Sequence, residues 1–146
     1  MTKYTDIIER LEKATGPDRE LDARIWAFLA GVKYVGHYQP YADDSGRTQV
    51  VYCVPPKRKT EVTNPPRMQH AEPVTSSIDA AIALLEQIFP QENCYGFEKD
   101  PLGIAAFVSR NDVSSGHWFK EAYAPTAPLA ILLATFRALE AQEAAQ

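Results

Sequence analysis

The chain has 146 residues, 45% of them hydrophobic, and its 15 Lys and Arg against 19 Asp and Glu leave a formal charge of −4. That is the size and balance of one ordinary globular domain, able to bury roughly two thirds of its unfolded surface without staples, and its acidity argues against bulk nucleic-acid binding, which rewards a basic surface. Cys53 and Cys94 form neither a CxxC pair nor a ligand-spaced set with histidine, and no apolar run approaches the ~18 residues of a membrane span, so the expectation is a cytoplasmic protein without metal, cofactor or membrane anchor.

Tyr4, Ile7, Ile8 and Leu11 recur at intervals of three and four, Thr5 is placed to cap the run and Gly16-Pro17 ends it. This predicts an amphipathic helix over about Thr5 to Ala14. Asp18 then precedes Leu21, Ile25, Phe28, Leu29 and Val32 at helical spacing, with Glu20, Asp22 and Arg24 on the opposite face and Gly31 as the stop. The acids at the start of this second helix are explained by its amino-terminal dipole and call for no metal.

From Val32 to Val54 the pattern turns aromatic and β-branched around Asp43-Asp44-Ser45-Gly46, which predicts a β-hairpin. The stretch from Pro55 to Pro73 holds Pro55, Pro56, Pro65, Pro66 and Pro73, five of the eleven prolines, and is incompatible with a helix or a central strand. Ser76 and Asp79 make a capping-box-like start for a helix of about Ser77 to Phe89, carried by Ile78, Ile82, Leu85 and Phe89 and closed by Pro90. Asn93 to Glu98 and Ile104 to Arg110 read as a second hairpin and His117 to Tyr123 as a further strand. Thr126 is placed to cap a last helix through Gln142, with Pro128 in its first turn and Leu129, Leu132, Leu133, Phe136 and Leu139 on one face.

The predicted order is ααββαβββα: an α+β fold, one domain over 1–146 with a proline-rich insertion at 55–73, and one mostly antiparallel sheet of about five strands covered by helices. Three segments carry a family resemblance: Ala14-Thr15-Gly16-Pro17-Asp18-Arg19-Glu20-Leu21-Asp22-Ala23-Arg24-Ile25-Trp26, Thr75-Ser76-Ser77-Ile78-Asp79-Ala80-Ala81-Ile82-Ala83-Leu84, and Thr126-Ala127-Pro128-Leu129-Ala130-Ile131-Leu132-Leu133-Ala134. In order and spacing they resemble the phage ABA-sandwich domain of small phage and prophage proteins. The resemblance implies an α/β/α-type sandwich and a phage context. It brings no catalytic residues, and the segment Pro55 to Pro73 is longer than the family leads one to expect.

The residues suited to chemistry suggest binding. Lys57, Arg58, Lys59 and Arg67 supply permanent cations on a proline-stiffened segment that also carries His70, suited to phosphate groups, with solvation of a surface loop as the plain alternative. Tyr34, His37, Tyr38, Tyr41 and Tyr52 lie on or beside the first hairpin, where a two-residue period gives Tyr34, Tyr38 and Tyr52 shared faces for stacking on a base, or for packing across strands. Trp26 and Trp118 suit either an oligomer contact or the core. No spacing links Cys53 or Cys94 with His37, His70 or His117 as nucleophile and base, Ser114-Ser115-Gly116-His117 is no nucleophile elbow, and neither GxGxxG nor GxxxxGK[ST] is present.

The expectation is a non-enzymatic phage or prophage accessory protein, a homo-oligomer acting as an anti-defence sponge that binds an anionic nucleotide-like immune signal through Lys57, Arg58, Lys59, Arg67, Tyr34, His37, Tyr38 and Tyr52. The alternatives are a protein-protein interaction module acting on a host factor and a small hydrolase of nucleotide signals using His37, His70 or His117.

Overall fold

A computed structural model of the chain describes residues 1–38, 48–54, 66–90, 93–112 and 116–144, and the side chains of these except 93–94, 110–112 and 116–119. The elements are α1 (Thr5–Lys13), α2 (Arg19–Ala30), β1 (Lys33–Tyr38), β2 (Thr48–Cys53), β3 (Arg67–Ala71), α3 (Ile78–Ile88), β4 (Asn93–Asp100), β5 (Gly103–Asp112), β6 (Gly116–Ala124) and α4 (Ala127–Ala144). The fold is α+β. Its strands form two three-stranded antiparallel sheets, β1-β2-β3 and β4-β5-β6, in place of the single sheet of about five strands expected from the sequence. Local patterning finds hairpin partners but does not say whether the chain returns from a helix to the same sheet, and here it begins a new one. The additional strand is β3, which sits at a sheet edge, the one place a sheet tolerates neighbours such as Pro66 and Pro73.

Two compact units result, one from residues 1–17 and 74–146 and the other from 18–73. In the first, α4 packs on β4, β5 and β6 and also on α1 and α3. Every residue from Pro128 to Phe136 is buried, so this stretch of α4 is covered around its whole circumference, where the sequence reading expects one face. Across the β4-β5 pair the ring of Phe107 lies over Gly96, where a Cβ would stand 2.8 Å from it.

The helix starts depart from expectation by single residues. Thr5 is already helical, and its hydroxyl accepts a hydrogen bond from the Thr2 amide at 3.0 Å. The cap of α3 is Ser77, whose Oγ accepts from the Ala80 amide at 3.1 Å, rather than a Ser76 capping box. The carbonyl of Thr126 accepts from the Ala130 amide, but its hydroxyl is buried with no hydrogen-bond partner among the described residues and so does not cap α4.

In the second unit α2 packs on β1, β2 and β3. Asp18 accepts from the Leu21 amide at 3.0 Å to begin the helix, and Gly31 ends it in the left-handed region at φ 70°. Ala23, Val50 and Ala71 form the centre of the core, with Trp26, Tyr34 and Tyr52 packed around them.

Candidate functional site

The site residues proposed from sequence fall mostly on the β1-β2-β3 sheet, and its register decides which meet. Tyr34 pairs with Tyr52, but Gly36 pairs with Val51, so Val35 is an extra residue in β1 and makes a bulge. A bulge of one residue reverses the alternation of faces beyond it. Tyr34 and His37, three apart, therefore share the face with Tyr52 and Val50, the face covered by α2, and Tyr38 falls on the opposite one beside Gln49. This corrects the expectation that Tyr34, Tyr38 and Tyr52 share faces by a simple two-residue period.

On the face toward α2, the Tyr34 hydroxyl lies 2.6 Å from Nδ1 of His37, and the two rings are nearly parallel with centroids 6.2 Å apart. The Arg24 guanidinium of α2 sits 4.4 Å from the centre of the Tyr34 ring. Arg24 is held there by Glu20 one helical turn earlier, at 3.0 Å. Arg24 thus makes a cation–π contact with Tyr34 while its charge is shared with Glu20, and the imidazole of His37 stands at the phenol's edge. Arg24 was not singled out from sequence, where it reads as part of the polar face of α2; the short Gly31-Val32 link that folds α2 back onto the hairpin is what delivers it.

Tyr52 faces Trp26 with ring centroids 5.0 Å apart at 57° and is half-buried, so it packs in the core of this unit. Arg67 is the first residue of β3, exposed and opposite Tyr52, so Tyr34, Tyr52 and Arg67 form one cross-strand row. Lys57, Arg58, Lys59 and Tyr41 lie outside the described residues. So do the side chains of Cys94, His117 and Trp118.

The opposite face of the sheet carries Tyr38, Gln49 and His70 in one row and Gly36, Val51 and Met68 in the next. Nε2 of Gln49 lies 3.3 Å from Nε2 of His70. Tyr38 is 47% exposed, Met68 52% and the bulged Val35 52%. His37 and His70 thus occupy opposite faces and do not converge, and Cys53 is a free thiol. Among the described residues no group of three or more His, Cys, Asp or Glu is arranged to hold a metal ion, and no helix is long and apolar enough to cross a membrane.

Comparison of the chain with protein-family models, with curated proteins and with solved structures returned no match.

Proposed function

We propose that the protein is a non-enzymatic binding protein of a phage or prophage, acting in the host cytoplasm to sequester an anionic nucleotide-like molecule at the α2 side of the β1-β2-β3 sheet. The observation that carries this reading is the stack of Arg24 on Tyr34 with His37 at 2.6 Å from the phenol. The phosphates fall to Arg24, Arg67 and the basic run Lys57-Arg58-Lys59, and Tyr34 supplies the aromatic surface. Chain connectivity supports that division of labour. The segment holding the basic run leaves β2 after Cys53 and enters β3 at Arg67, so both its ends lie beside the Tyr34-Tyr52-Arg67 row. The resemblance to the phage ABA-sandwich domain and the α/β/α-type layering it implies belong to this same proposal.

Titration calorimetry against a panel of mono-, di- and cyclic nucleotides tests it. One ligand class binds the wild type, and Lys57→Ala/Arg58→Ala/Lys59→Ala weakens that binding at least about a hundredfold, the scale of two or more lost charge-assisted hydrogen bonds, with the melting temperature unchanged. Unaltered affinity removes the basic run from the site.

A second reading, a protein-protein interaction module, is favoured by the exposed apolar side chains Val35, Tyr38 and Met68. It predicts co-purification of a host polypeptide and no bound small molecule.

A further inference from the structure

The β1-β2-β3 sheet has two edges, and they are built differently. The β1 edge begins with Lys33 and is broken by the bulge at Val35, two devices that discourage a further strand from pairing. The β3 edge has neither. Arg67–Ala71 pairs with β2 through five consecutive residue pairs without a slip, and Arg67, Met68, Gln69 and His70 are all exposed. Among the described residues no strand lies on its other side. Between Pro66 and Pro73 the segment holds no proline, glycine or lysine. Outward-pointing amides and carbonyls on such an edge are a template for another strand.

We propose that β3 is a self-association edge: two copies of the chain pair β3 with β3 antiparallel about a twofold axis at Gln69, joining their sheets into one of six strands. The sequence of the strand favours a second copy in this register. Arg67 then lies opposite the partner's Ala71, Met68 opposite the partner's His70, and Gln69 opposite the partner's Gln69. The strand's one permanent cation faces an alanine, whereas a parallel pairing in register sets Arg67 against the partner's Arg67. Two facing carboxamides satisfy each other as donor and acceptor. Met68 and His70 belong to the face that carries Val51 and Tyr38, so pairing makes that apolar face continuous across both copies. The flanking prolines confine the pairing to this short segment. Arg24, Tyr34 and His37 lie off the β3 edge, and Arg67, which the ligand reading also uses, is left unaltered in the variants that test the pairing.

Sedimentation velocity of the full chain over a concentration series is the test, using two double variants, Met68→Lys/His70→Lys and Met68→Glu/His70→Glu. Each sets like charges opposite one another twice in the proposed register. The expected result is a concentration-dependent wild-type dimer, a dissociation constant raised at least about tenfold in each variant, and a heterodimer when the two variants are mixed. A wild type that is monomeric throughout, variants that dimerise like the wild type, or a mixture that stays monomeric overturns it. Amide exchange on the wild type needs no variant: protection within 67–71 rises with protein concentration, and protection independent of concentration contradicts the proposal.

Discussion

The hydroxyl of Thr126 is buried at the start of α4 with no hydrogen-bond partner among the described residues, while the Thr126 carbonyl already accepts the first helical bond. A desolvated hydroxyl without a partner is a cost, and valine keeps the β-branched shape without it. Thr126→Val is therefore expected to stabilise the fold by up to about 1 kcal/mol, read as a higher denaturation midpoint at unchanged slope; a loss of 1 kcal/mol or more contradicts the geometry at this residue. The misreading of Thr126 as a cap has a plain origin: residue type and position mark a cap, but whether the hydroxyl turns to the helix amides is set by packing. Val35 teaches the same at the candidate site. The pair Val35-Gly36 was readable as a bulge signal, since an isolated glycine within a strand pattern often marks one. Without the bulge, period two puts Tyr34 with Tyr38; with it, Tyr34 meets His37.

At the scale of elements, α1 and the end of α4 are tied together by polar contacts. Lys3 pairs with Glu143 at 3.2 Å and reaches over the Tyr4 ring, Thr2 hydrogen-bonds Glu140, and Arg137 joins Glu12 at 2.9 Å to the Glu121 carbonyl on β6 at 3.1 Å. The hydrogen bond from Tyr4, then that from Lys3, holds the Glu143 carboxyl below its ordinary 4.5, and the bond to Glu143 holds Lys3 above its ordinary 10.5. A lowered carboxyl stabilises above its unfolded value and loses that contribution as pH falls through the folded one; a raised ammonium stabilises below its unfolded value and loses it as pH rises through the folded one. Glu143→Gln is thus expected to lower the melting temperature between about pH 5 and pH 10, with the difference closing at more acid pH. A difference unchanged at pH 3 contradicts the ionic contribution. The ties Lys3–Glu143, Thr2–Glu140 and Arg137–Glu12 were not legible in the sequence, because each joins residues more than a hundred positions apart. The helices themselves were legible: Asp18 and Gly31 bound α2 where their chemistry placed them. β3 was missed because five prolines dominate 55–73, although none lies within Arg67–Ala71: Pro66 immediately precedes it and Pro73 follows two residues after its end.

On the scale of the whole molecule, α4 shows how far composition carries. Its run Pro128-Leu129-Ala130-Ile131-Leu132-Leu133-Ala134-Thr135-Phe136 announces burial, but only the presence of a sheet together with α1 and α3 explains burial on every side. The candidate site was half legible. Tyr34, His37 and Arg67 lie on one side of the second unit's sheet as binding residues require, Tyr38 lies on the other, Tyr52 is engaged by Trp26, and Arg24 enters from a helix whose polar face carried no signal of its own. His37 and His70 lie on opposite faces of that sheet and do not meet. The clearest test of the proposed binding of an anionic, flat ligand is native mass spectrometry of the chain after exposure to lysate from cells with active nucleotide-based defence signalling. One small anionic adduct per site is expected, lost in Arg24→Ala/Tyr34→Ala when that variant keeps its wild-type circular dichroism. A chain free of small adducts, or one carrying a host polypeptide instead, contradicts it.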